Sequence, residues 1–103
     1  MLVLKCLNLK KDDEVIVPNV TFASPINSIL HIGAKPVLCD IDNKNFTIKI
    51  ESLKKLITKK TKAIICVHTY GHPCKMDIIK KIANKNKIKI IEDCAEAIGT
   101  KYN

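Results

Sequence analysis

The chain has no arginine and no tryptophan, only three glycines, and 4% aromatic residues. Each shortage removes a class of function. All 18 basic residues are lysine, set against 10 acids for a net charge of +8. Proteins that read nucleic acids lean on arginine for bidentate contacts and often on stacking aromatics. With lysines scattered along the chain, the basic surplus reads as solvated helix faces, and no nucleic-acid partner is expected. No Gly-rich phosphate loop is present. No apolar run reaches the roughly 18 residues of a membrane helix, so no membrane partner is expected. The opening "LVLKCLNLKK" lacks a basic leader and a small-residue cleavage site, which makes the cytoplasm the expected location. Cys6, Cys39, Cys66, Cys74 and Cys94 form no CxxC pair and are odd in number, which favours free thiols.

What remains is 103 residues, 47% apolar, enough for one domain with a packed core. Four short, β-branched runs read as strands covered on both faces: Glu14–Val17, Pro36–Cys39, Ala63–Val67 and Ile88–Ile91. Helix-period segments separate them. Ser24-Pro25 predicts a helix start, with a capping hydroxyl and a first-turn proline. Ile26, Ile29 and Leu30 then share a face, and Gly33 ends the helix. Leu53, Leu56 and Ile57 repeat the spacing, as do Ile78, Ile79 and Ile82. The residues through Leu9 fit the tail of another helix. The polar stretch "DIDNKNFTIKI" reads as a surface excursion. This strand–helix alternation predicts an α/β unit with a mostly parallel sheet and flanking helices.

Ligands of open parallel sheets gather outside the carboxyl ends of the strands. That rule selects "PNVTF", "DID", "HTYGHP" and "EDCAEA", and places Thr21, Phe22, Asp40, His68, Tyr70 and Asp93 along one edge. A carboxylate at the end of the last strand suits a cationic ligand group. The plainer alternative has Glu92 and Asp93 capping a turn and facing water. Cys94, Ala95 and Ala97 favour the ligand, because small residues let a flat molecule approach the backbone. Phe22 is either a stacking platform or core filler. Cys66, His68, His72 and Cys74 offer a zinc-stabilised alternative, although their spacing departs from ordinary zinc fingers.

The motifs "DEVIVP", "TF", "GAKPV", "TKAI", "H-x-YG-x-P" and "IEDCAEA-x-G" occur in one gapless register. Together they make the chain resemble the DegT–DnrJ–StrS family of nucleotide-sugar aminotransferases, most closely its perosamine-synthase branch. The resemblance implies part of the large domain of the aspartate aminotransferase fold, with pyridoxal 5'-phosphate as cofactor. It further implies a nucleotide-linked keto sugar as substrate, glutamate as amino donor, a product for polysaccharide or glycan biosynthesis, and a homodimer. Asp93 would pair with the cofactor's pyridine nitrogen, Glu96 would lie near its phenolic oxygen, and Phe22 would stack on its ring. His68 belongs to the motif without an implied role.

Residues 1–103 do not contain the family's phosphate-binding turn, its Schiff-base lysine or its C-terminal small domain, and Lys101 does not match that lysine. With no catalytic residue to assign, the expectation is an inactive fragment of an aminotransferase. A non-catalytic small-molecule-binding α/β module is the alternative.

Overall fold

The computed structural model describes residues 2–102, so Met1 and Asn103, the ends of the expected domain, lie outside it. The elements run α1 (Leu2–Cys6), β1 (Glu14–Pro18), α2 (Ala23–His31), β2 (Lys35–Cys39), α3 (Ile50–Leu56), β3 (Thr61–Val67), a single 3-10 turn (Thr69–Gly71), α4 (Met76–Asn86) and β4 (Lys89–Asp93). The four strands form one sheet in the order β2-β1-β3-β4, and every pairing is parallel.

Alternation along the strands divides the core into two layers. Val15 and Val17 of β1 and Ala63, Ile65 and Val67 of β3 pack against Leu4 of α1 and Ile29 of α2. The intervening residues Ile16, Ile64 and Cys66 point the other way, onto Leu53 of α3 and Met76, Ile79 and Ala83 of α4. Ile16, Ile29, Leu53, Ile64 and Ile79 are fully buried. Each such side chain contributes about 1.5–3 kcal/mol by leaving water.

Four local expectations need correction. Only β1 and most of β3 are covered on both faces; β2 and β4 lie at the sheet edges and are partly exposed, with Leu38 at 53%. Helix α2 begins at Ala23, with Phe22 in the capping position and no side-chain cap. The extended backbone of Phe22 supplies the entry, which leaves Ser24 already inside the first turn. Pro25 and Ile29 form the buried stripe of α2, while Leu30 faces outward. Gly33 closes the helix as expected, at φ +80, a left-handed geometry that glycine adopts without strain. The "DIDNKNFTIKI" excursion is only partly superficial. Thr47 and Ile48 are buried, and Ile41 bridges Ile48 in antiparallel fashion.

The strand order sets the location of any ligand site. From β1 the chain winds outward to β2, then returns across the sheet to β3 and continues to β4. Winding therefore reverses between β1 and β3, and the chain leaves their carboxyl ends toward opposite faces of the sheet, which opens a crevice there.

Candidate functional site

Strand β4 extends through Glu92 and Asp93, two residues beyond the apolar run. Both acids thus lie on the strand and alternate between its faces. Asp93 pairs in register with Val67, on the face that packs against α1 and α2. Glu92 pairs with Cys66, on the face toward α3 and α4. Two adjacent carboxylates consequently have different surroundings.

Asp93 lines a pocket of about 610 Å³ in the crevice. Val20, Thr21 and Phe22 from the β1–α2 connection and Ser24 and Pro25 from the first turn of α2 form one wall. Val67 ends β3, Thr69 and Tyr70 follow it, and Ala95 and Glu96 follow β4. Asp93 Oδ1 accepts the Ala95 N–H at 3.1 Å, which holds the carboxylate across the turn and leaves Oδ2 for a ligand. Phe22 is 83% exposed, so its ring is no core filler and borders the pocket as an open aromatic face. Thr69 Oγ1 is buried without a hydrogen-bond partner at the same wall.

Glu96 and Tyr70 are joined. The Glu96 Oε2 atom accepts the Tyr70 N–H at 2.9 Å. Tyr70 is held at φ +52 and Gly71 at φ +79, a pair of left-handed residues that turns the chain sharply over the pocket. The Tyr70 ring is 71% exposed and meets Phe46 edge-on, with centroids 5.9 Å apart.

The edge rule overreached at two positions. Asp40 follows β2, on the far side of β1, and accepts a hydrogen bond from Asn19 Nδ2 at 3.2 Å away from the pocket. His68 is buried on the opposite face, where its Nε2 meets Glu92 Oε2 at 3.0 Å and its Nδ1 accepts the Cys74 N–H at 3.1 Å. Sequence reasoning singled out Thr21 and Phe22 of this wall but not Val20, Ser24, Pro25 or Thr69, although Val20 and Thr69 sit inside strand-end motifs it had selected.

The four proposed zinc ligands do not converge. Among the described residues, the group whose ligand atoms lie within 4.8 Å of one another is His68, Glu92 and Cys94. His72 is exposed, and the Cys74 thiol donates to the Val67 carbonyl at 3.2 Å. The neighbouring Cys74 thiol, together with burial, pushes the Cys66 thiol well above its ordinary range. The observed trio is a poor metal site as well. A ligating imidazole needs its remote nitrogen to donate to an acceptor, whereas His68 Nδ1 faces a backbone N–H.

The pocket's chemistry suits a flat cationic heteroaromatic. It offers the carboxylates of Asp93 and Glu96, an open aromatic face, apolar walls and an unsatisfied hydroxyl. A protonated pyridine ring stacked on Phe22 and directed at Asp93 fits this donor set. Among the described residues no lysine lines the pocket; Lys101 lies in a separate cavity with Pro73, Asp77 and Tyr102.

Known proteins resemble this chain in sequence and in fold. GDP-perosamine synthase of Escherichia coli O157:H7 is 46% identical over 101 residues, a match covering 98% of this chain and 28% of that protein. The crystal structure of an aminotransferase from Psychrobacter cryohalolentis superimposes with a TM-score of 0.95 at 44% identity, covering 98% of this chain and 26% of the other. GDP-4-keto-6-deoxymannose-3-dehydratase, solved with a trapped PLP-glutamate geminal diamine, gives a TM-score of 0.87 at 39% identity, covering 92% and 25%. The chain spans about a quarter of the length of these relatives. Residues 1–103 match the DegT/DnrJ/EryC1/StrS aminotransferase family from end to end, and the chain belongs to it.

Proposed function

We propose that this chain forms the ring-binding half of the pyridoxal 5'-phosphate site of an aminotransferase that acts on a nucleotide-linked keto sugar, with glutamate as amino donor. The observation that carries the reading is Asp93 at the carboxyl end of β4, facing the open ring of Phe22 across the switch-point pocket. When bound, the cofactor supplies an electron sink for charge developing on the substrate carbon. Asp93 Oδ2 would hold the proton on the pyridine nitrogen, in an orientation set by the Ala95 hydrogen bond at Oδ1. Phe22 would cover one ring face and exclude water from it. Glu96, anchored at Oε2 by Tyr70, would turn its other oxygen toward the ring's phenolic side.

Transamination requires a lysine to anchor the cofactor and to move protons. Here that lysine, the phosphate-binding turn, the small domain and the dimer partner come from sequence outside these 103 residues, and the chain alone is inactive. The reading also places the protein in the cytoplasm, where its five free cysteines stay reduced.

The test uses pyridoxamine 5'-phosphate, which needs no bond to lysine. Titrated into the 103-residue chain, it should shift the NMR signals of Phe22 and Ala95. Asp93→Ala should weaken the binding by roughly tenfold or more, as loss of a charge-assisted hydrogen bond requires. Equal affinity in the variant would refute the assignment.

A further inference from the structure

His68 is the first residue beyond β3 and is only 6% exposed. Its backbone N–H donates to the Asp93 carbonyl at 3.1 Å, the last rung between the two strands. Its ring is held at both nitrogens. A backbone N–H can only donate, so the Cys74 N–H at 3.1 Å requires Nδ1 to be unprotonated. The ring proton must then sit on Nε2, which donates to Glu92 Oε2 at 3.0 Å. One buried imidazole thereby ties the connection before α4 to the strand end that carries Asp93.

Glu92 and Asp93 are consecutive, on opposite faces of β4. Fixing the Glu92 side chain from behind and the Asp93 carbonyl in the plane of the sheet leaves the last strand residue little freedom to rotate. The direction of the Asp93 carboxylate is thus set from the far side of the sheet. Beyond Asp93 the ladder ends and the chain turns at Cys94–Ala97, so no further strand pairing performs this task. We propose that His68, acting through Glu92, is a positioning residue that aims Asp93 into the ring pocket. The proposal rests on the cofactor reading above for its functional consequence, but the aim of Asp93 can be measured without cofactor.

The experiment is NMR on the 103-residue chain and four variants. Imidazole 15N signals should show His68 protonated at Nε2 and bare at Nδ1. The Ala95 amide, bonded to Asp93 Oδ1, reports the carboxylate's position. His68→Phe should displace that amide signal and weaken pyridoxamine 5'-phosphate roughly tenfold, the loss expected for one charge-assisted hydrogen bond. His68→Gln, which keeps a donor toward Glu92, should restore most of both. Glu92→Gln should resemble the parent chain and Glu92→Ala should resemble His68→Phe. Should His68→Phe not fold, Glu92→Ala decides, because its side chain is 43% exposed.

An unmoved Ala95 amide in folded His68→Phe or Glu92→Ala overturns the proposal. So does a His68→Gln variant no better than His68→Phe, which would reduce His68 to packing. If the Ala95 amide responds as expected but Asp93→Ala binds the ligand normally, positioning stands and the cofactor reading falls.

Discussion

The end of β4 shows how a shift of one residue along a strand changes chemical role. Asp93 faces the ligand crevice, while Glu92 faces His68. The edge rule made Asp93 legible from the sequence. It could not separate the two acids, because the face a residue takes depends on where the strand stops, and apolar composition placed that stop two residues early. Glu14, at the start of β1, shows a second buried acid with a structural task. It accepts hydrogen bonds from Thr58 Oγ1 at 2.6 Å and Lys35 Nζ at 3.4 Å. The Thr58 bond, followed by the Lys35 interactions, outweighs burial and holds the carboxyl below its ordinary value of 4.5. Because the folded-state value is depressed, this stabilisation is complete above pH 4.5 and fades as pH falls through the lower folded-state value. Glu14→Gln should therefore cost about 1 kcal/mol at pH 7 and flatten the acid limb of a stability-against-pH curve. Equal urea midpoints for parent and variant at pH 7 would contradict this.

Among the elements, the turn over the pocket is the most constrained. Gly71 at φ +79 follows Tyr70 at φ +52, and a Cβ on Gly71 would meet only ordinary contacts, 3.5 Å from Thr100 Oγ1. Conformation rather than space penalises a side chain there, so Gly71→Ala should destabilise by about 1–2 kcal/mol in chemical denaturation. A neutral result would show that the turn relaxes. The helices were legible from their apolar spacing, with Leu53 and Ile79 at fully buried positions. Leu53→Ala should cost about 2–5 kcal/mol by leaving a cavity between α3 and the sheet. The start of α2 was less legible, because Ser24-Pro25 carries a stronger local signal than the extended Phe22 that provides the cap position. The position of His68 escaped the sequence for a different reason. Its partners are Glu92, 24 residues away, and the Cys74 amide, and neither follows from a periodic pattern.

At the scale of the molecule, the alternation of strands and helices was enough to fix a parallel sheet. It did not give the strand order, which determines why Asp40 is excluded from the crevice while Asp93 enters it. All 18 lysines are exposed, in accord with a solvated surface. Among the described residues, no helix is long and apolar enough to cross a membrane. The chain represents a quarter of its relatives' length yet brings an acid and an open aromatic face together in one pocket. The central claim is that Asp93 keeps a pyridine nitrogen protonated, and the most direct measurement is the 15N signal of ring-labelled pyridoxamine 5'-phosphate bound at neutral pH. The account predicts a protonated nitrogen in the parent chain and an unprotonated one in Asp93→Asn. An unprotonated nitrogen in the parent, or the same signal in both, would contradict it.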